Sequence, residues 1–150
     1  MTNILKNEWL TFTFRLIVGA VFIYASLDKI MHPEAFAKSV YNYKILPAVL
    51  INAAALFLPW LELLTGAALI LGTKIKGASL IISVLLVVFL VAATSTLIRG
   101  ISIDCGCFTS SSAGRKTGWG LLVQDAILLL FALHLYVRGP GRLSLDRDPA

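Results

Sequence analysis

The sequence predicts an all-α fold, a polytopic membrane protein built as a bundle of four transmembrane helices. Of its 150 residues, 58% are hydrophobic and 14% are charged, whereas soluble proteins have about 25% charged residues. A helix of roughly 20 apolar residues crosses the ~30 Å core of a bilayer, and unpaired backbone groups are too costly in lipid for other conformations. The apolar runs place the spans at residues 11–31, 46–72, 77–98 and 117–138, in a single domain of residues 1–150.

The four spans differ in the charges they contain. The first contains Arg15, and we expect a retained helix and not a cleaved signal peptide, because charged residues and a proline separate it from the A-x-A sequence at residues 35–37. The second contains Glu62, the third has no charged residue, and the fourth contains Asp125. Charges inside a span are costly and usually face the interior of the bundle.

Four crossings place both termini on one side, together with the short connection at residues 73–77. The two lysines of that connection and the arginines of the C-terminal tail favour the cytoplasm for this side. We therefore predict a bacterial inner-membrane protein with cytoplasmic termini. The loop between the last two spans then faces the extracytoplasmic side, where disulfides form and persist. The net charge of +5 suits contact with anionic lipid headgroups and calls for no nucleic-acid partner.

Arg15 and Glu62 lie within reach of each other in this arrangement. At about 1.5 Å per residue, they lie roughly 8 Å and 15 Å from the cytoplasmic face. We expect a direct or water-bridged pair between them. Two interpretations stay open: an ion pair that joins the first two spans, or a proton or quinone site at mid-depth, with Pro59 and Trp60 shaping a pocket.

A second group of polar residues is predicted at the extracytoplasmic end. Asp28 and Lys29 end the first span, Asp104 precedes Cys105, and Asp125 lies about 12 Å below that surface. By themselves, Asp28 and Lys29 fit an interfacial pair whose side chains reach the headgroups. Asp125 needs a partner at its depth. That partner is Lys29, a backbone amide of the cysteine loop, or a proton in transit.

Cys105 and Cys107 are the two cysteines of the chain, with Gly106 between them. They fit a static disulfide, a metal clip or a redox couple. A disulfide across so short a loop removes little entropy from the unfolded chain, and strained, exposed disulfides are the labile, catalytic type. A metal clip needs further ligands, for which the polar loops offer His32 and carboxylates. The redox couple is favoured, and no metal is predicted.

Three stretches of the sequence resemble the MauE family of DoxX-like membrane proteins. They are FIYASLDKIMHPEAFA at residues 22–37, LPWLELLTGAALILG at 58–72 and RGISIDCGCF at 99–108, together with Arg15. Thr109 stands where the family usually has glycine. The resemblance implies a four-helix fold with outward-facing cysteines and a general thiol-redox role. Relatives are associated with maturation of methylamine dehydrogenase, a disulfide-rich periplasmic enzyme, often beside a thioredoxin-like partner.

These observations predict a thiol–disulfide oxidoreductase in the lipid bilayer. Cys105 and Cys107 cycle between dithiol and disulfide, and they exchange electrons with a thioredoxin-like protein and a membrane quinone. No tightly bound cofactor is expected. Lys29 stabilises a thiolate, and Asp104 or Asp125 accepts the thiol proton. Which cysteine attacks and which way electrons flow stay open.

Two other classes of function stay open. One is a non-enzymatic membrane scaffold or chaperone for a periplasmic redox or maturation partner. The other is a small transporter that uses Glu62 and Arg15. No phosphate-binding loop is indicated, because AGRKTG at residues 113–118 lacks the spacing of a Walker A motif.

Overall fold

Helices make up nearly all of the chain that the computed structural model describes, namely residues 7–100, 119–140 and 144–145. Within these ranges the helices are α1 Glu8–Met31, α2 Pro33–Tyr43, α3 Ala48–Leu71, α4 Ile75–Ile98 and α5 Trp119–Arg138. The predicted all-α class is therefore confirmed.

Three of the described helices, α1, α3 and α4, are long and apolar enough to cross a membrane. Each has 24 residues, or about 36 Å of helix. Many of their exposed side chains are large and apolar, including Leu64, Val88 and Ile98, as a surface facing lipid requires. α5 has 20 residues and includes the polar Gln124, Asp125 and His134. Since α5 is not among the candidate spans in the described ranges, the predicted count of four spans is not confirmed.

The long helices pack around one apolar core. α1 lies along α3, α4 lies along α5, and contacts between α3 and α4 and between α1 and α5 close the bundle. The rings of Phe14 and Phe131 stack with centroids 4.1 Å apart and join α1 to α5. The core residues are contributed by all four helices: Val18, Phe22, Leu69, Ile82, Leu86, Leu128, Ala132 and Leu135.

α1 and α3 approach closely where two glycines meet. A Cβ atom added to Gly19 would lie 2.9 Å from the carbonyl oxygen of Gly66, and one added to Gly66 would lie 3.0 Å from the oxygen of Gly19. Small residues allow such backbone contact between membrane helices. The two helices run antiparallel, because Lys29 contacts Glu62 while Arg15 contacts Leu69.

α2 is an additional helix in the segment between the first two predicted spans. Pro33 occupies its first turn, a position that proline favours. Phe36, Ser39, Val40 and Tyr43 form its buried face, with the spacing of three and four residues typical of an amphipathic helix. At 11 residues, α2 is too short to cross a bilayer. It lies against α3 and also contacts α1 and α4.

Candidate functional site

Lys29 and Glu62 form an ion pair inside the bundle. The Nζ atom of Lys29 lies 2.9 Å from both carboxylate oxygens of Glu62 and donates a hydrogen bond to each. Both side chains are 1% exposed. The sequence predicts Lys29 at the surface beside Asp28 and a pair between Glu62 and Arg15. Both expectations are wrong, because Lys29 turns into the bundle and is itself the partner of Glu62.

The antiparallel packing of α1 and α3 explains this pairing. Lys29 lies ten residues from Gly19 and Glu62 lies four residues from Gly66, which places their Cα atoms about 15 Å and 6 Å from the glycine crossing. Helical side chains lean toward the N-terminus of their own helix. Lys29 therefore leans back toward the crossing while Glu62 leans away from it. Because the two side chains lean in opposite directions, their charged ends meet although their Cα atoms differ by about 9 Å in distance from the crossing.

Two aromatic rings complete the surroundings of the Lys29 ammonium. The ring centroids of Phe36 on α2 and Phe89 on α4 each lie 4.9 Å from Nζ. The face of an aromatic ring attracts a cation, and the attraction grows where water is excluded. One carboxylate and two rings, from three different helices, thus hold a single buried ammonium group.

Asp125 of α5 lies beside this ion pair. Its side chain is 1% exposed, and among the described residues its Oδ2 atom has no hydrogen-bond partner. The hydrogen bonds of Lys29 go to Glu62. A cavity of about 10 Å³ is lined by the three charged side chains, and its other lining residues are apolar: Phe22, Ala25, Leu86 and Phe89. This volume is close to the space that one water molecule needs.

Tyr43 of α2 belongs to the same group of residues, although the sequence analysis did not identify it. Its side chain is 6% exposed. Burial raises the pKa of the Tyr43 hydroxyl well above its usual value, and a negative charge on Asp125 would raise it further. The hydroxyl therefore stays neutral, and it can both donate and accept a hydrogen bond. We call Lys29, Glu62, Asp125 and Tyr43 the buried cluster.

Arg15 lies at the other end of α3, away from the buried cluster. Its Nε atom donates a hydrogen bond to the carbonyl oxygen of Leu69 at 3.0 Å, and its Nη2 atom donates to that of Ile70 at 3.4 Å. The last carbonyls of a helix lack helical partners, and a cation is favoured beside them. A Cβ atom on Gly72, where φ is +75°, would meet the guanidinium group. Arg15 therefore caps α3.

The other residues singled out from the sequence lie outside the buried cluster. Trp60 is 54% exposed on the outer surface of α3, so it does not line the cavity beside Glu62. The Oδ1 atom of Asp28 lies 3.7 Å from Nδ1 of His32, one helical turn further along. Outside the described residues lie Asp104, Cys105 and Cys107, whose placement stays a prediction.

A second, larger opening lies on the surface of α4. Sites for small molecules usually measure about 300–1,000 Å³, so the cavity at Glu62 is too small for a quinone ring. A groove of about 470 Å³ lies near the end of α4 that leads to residue 101, lined by Leu90, Val91, Thr94, Ser95, Ile98 and Arg99. For metal ions, no suitable group of three His, Cys, Asp or Glu side chains occurs in the described ranges.

Comparison with known proteins gives one consistent family. The family model described as methylamine utilisation protein MauE matches residues 7–138. Three similar proteins carry the name methylamine utilization protein MauE. That of Paracoccus denitrificans is 29% identical over 90% of this chain and 73% of its own length. That of Paracoccus versutus is 32% identical over 89% and 72%, and that of Methylorubrum extorquens is 36% identical over 74% and 60%. No solved structure matches the chain.

Proposed function

The chain belongs to the family of the methylamine utilisation protein MauE, and we propose that it is a membrane thiol–disulfide redox protein that supports the maturation of exported proteins in methylamine utilisation. The proposal rests on Cys105 and Cys107, which stand beside Asp104 in the segment that joins α4 to α5. They are the two cysteines of the chain, so an intramolecular thiol couple has to consist of this pair.

The pair runs a two-electron cycle. On oxidation, both S–H bonds break and one S–S bond forms, which releases two protons and two electrons. A membrane quinone takes up two protons and two electrons and becomes a quinol, and the reverse reaction uses a quinol as the reductant. In exchange with a thioredoxin-like protein, the thiolate of one cysteine attacks a disulfide, and the other cysteine resolves the mixed disulfide.

Asp104 is the acceptor that we assign to the thiol proton. It is adjacent to Cys105 in sequence, and a general base must lie within hydrogen-bond reach of the proton it takes. Lys29 is bound by Glu62 and is 1% exposed, so we do not assign to it the predicted role of stabilising a cysteine thiolate. Asp28, near the end of α1, is a second carboxylate that we place on the cysteine side.

We assign the quinone to the groove on α4. The groove is bordered by apolar residues of a candidate membrane span and by Arg99, so a quinone can enter sideways from the bilayer while a polar side chain meets its oxygens. Arg99 is six residues from Cys105. This assignment replaces the site at Glu62, Trp60 and Arg15, because those three residues do not come together.

Alkylation trapping in cells tests the redox function. We expect the protein to show two alkylation states, which correspond to the dithiol and the disulfide. The ratio of the two states should change when quinone synthesis or a thioredoxin-like protein is removed. Cys105→Ser and Cys107→Ser are each expected to abolish maturation of the exported client, and one of them is expected to accumulate a mixed disulfide with the thioredoxin-like protein. Ser111→Ala, in the same segment, is the matched control.

The opposite outcome would favour the scaffold function. If both cysteine variants mature the client as well as the unmodified chain does, the thiols take no part in the reaction, and the redox function is excluded.

A further inference from the structure

The charges of the buried cluster do not balance if all of its carboxyl groups are ionised. Lys29 brings one positive charge from α1, and Glu62 and Asp125 bring carboxyl groups from α3 and α5. From α2 the cluster receives the neutral hydroxyl of Tyr43. The residues of α4 that line the adjacent cavity, Leu86 and Phe89, are uncharged. Glu62 accepts both hydrogen bonds of Lys29. Among the described residues of the cluster, an ionised Asp125 would leave one negative charge uncompensated.

A proton on Asp125 resolves this imbalance. A carboxylate buried without a partner is strongly disfavoured inside a protein and inside a membrane, whereas a protonated carboxyl group is neutral and has an O–H to donate. The Oδ2 atom of Asp125 lacks a hydrogen-bond partner among the described residues. The adjacent cavity of about 10 Å³ offers room for one water molecule as that partner.

We propose that Asp125 is a buried proton-binding site, in which one exchangeable proton keeps the carboxyl group neutral beside the Lys29–Glu62 ion pair. The ligand is a proton, and the cavity water is its first exchange partner.

This proton site goes beyond the redox function and does not depend on it. The cluster consists of residues from α1, α2, α3 and α5, and neither cysteine belongs to it. We therefore expect the site to persist whether or not the thiols cycle.

Infrared difference spectroscopy on the purified full-length protein in detergent tests the proposal. At neutral pH we expect one C=O band of a protonated carboxyl group that shifts in D2O. Asp125→Asn is expected to remove this band, and Glu34→Gln, which alters an exposed carboxylate of α2, is expected to leave it. If the band is absent from the unmodified protein, or remains in Asp125→Asn, the proposal is wrong.

Two further variants make the test specific. Lys29→Met removes the cation that Glu62 contacts, so the intensity of the protonated-carboxyl band is expected to double. An unchanged band in a folded Lys29→Met protein would contradict the charge balance. If Lys29→Met does not fold, the comparison of Asp125→Asn with the unmodified protein tests the proposal by itself. The Cys105→Ser/Cys107→Ser double variant is expected to retain the band, and its loss would contradict the independence of this site from the thiols.

Discussion

Lys29 is the residue that joins α1 to three other helices at the buried cluster. Its ammonium is bound to the Glu62 carboxylate of α3 and lies between the rings of Phe36 on α2 and Phe89 on α4. Desolvating two charges is costly, and their attraction repays that cost only with good geometry. Here each carboxylate oxygen accepts a hydrogen bond of 2.9 Å from Nζ. The pair therefore favours one arrangement of the helices.

Removing one partner of the Lys29–Glu62 ion pair is expected to destabilise the protein. Glu62→Gln and Lys29→Met each remove one partner of a buried ion pair and force the remaining carboxyl groups to change protonation, and each should lower the free energy of unfolding by about 3–5 kcal/mol. The double variant should recover most of that loss, because no uncompensated charge remains. Thermal unfolding of the purified variants gives the double-mutant cycle. Glu34→Gln, at an exposed position, is the control and should stay within about 0.5 kcal/mol.

Additive losses in the double variant would contradict this interpretation of the pair. Strict additivity would mean that Lys29 and Glu62 do not stabilise each other across α1 and α3.

The sequence predicted which charged residues need partners but not which partners they have. Glu62 and Asp125 stand out in the sequence because each is a carboxylate within an apolar run. The pairing of Glu62 was mispredicted, because depth was counted at the Cα atoms, while Lys29 and Glu62 lean in opposite directions along antiparallel helices. Arg15 was wrongly assigned to Glu62 for a different reason. The carbonyls that it contacts are backbone atoms, which no charge pattern reveals.

At the scale of elements, the close contact of α1 and α3 sets the position of Lys29 relative to Glu62. Gly19 and Gly66 allow the two backbones to meet, so the ion pair forms at a fixed distance from that crossing. A side chain at the crossing would push the helices apart and would move Lys29 away from Glu62.

Gly19→Leu is expected to destabilise the protein, because even its Cβ atom would lie 2.9 Å from the Gly66 carbonyl oxygen. Overpacking of this kind typically costs about 1–3 kcal/mol. Gly77→Ala on α4 is the matched control, since nothing lies within 4 Å of an added Cβ atom. Alanine there should raise stability by up to about 1 kcal/mol through helix propensity. Thermal unfolding of both variants measures the difference, and equal effects would rule out a tight α1–α3 crossing.

α2 is the helix that the sequence did not predict. The long helices were predicted close to their observed positions, since runs of about 20 apolar residues have few alternatives in a bilayer. The segment that forms α2 is mixed in composition, and its buried residues Phe36, Val40 and Tyr43 are spread among polar ones. The amphipathic spacing of α2 indicates a helix only when it is known that α3 covers its apolar face.

For the whole molecule, the course of α5 bears on how many times the chain crosses the membrane. The Oγ atom of Ser144 donates a hydrogen bond of 2.8 Å to the carbonyl oxygen of Gly72, at the turn between α3 and α4. The chain therefore returns, after α5, to the end of the bundle where α4 begins. This course agrees with the predicted fourth span, which would put both termini on the same side of the membrane.

Reporter fusions to the two termini check this topology. A fluorescent protein that folds only in the cytoplasm should fluoresce at the N-terminus and at the C-terminus alike. Fluorescence at one terminus only would mean an odd number of crossings, and it would contradict a membrane-spanning α5. A reporter inserted after Ser111 should behave in the opposite way to both termini, because we place residues 101–118 on the extracytoplasmic side.

The most direct test of the redox function counts free thiols in the purified protein in lipid nanodiscs. With an added quinone, the number of alkylatable thiols should fall from two to none, and with the quinol it should return to two, as the pairing of Cys105 with Cys107 requires. Arg99→Leu, in the α4 groove, should slow the quinone reaction at least tenfold while a small-molecule oxidant still closes the disulfide. A thiol count that responds to neither quinone, quinol nor a thioredoxin-like protein would contradict the account.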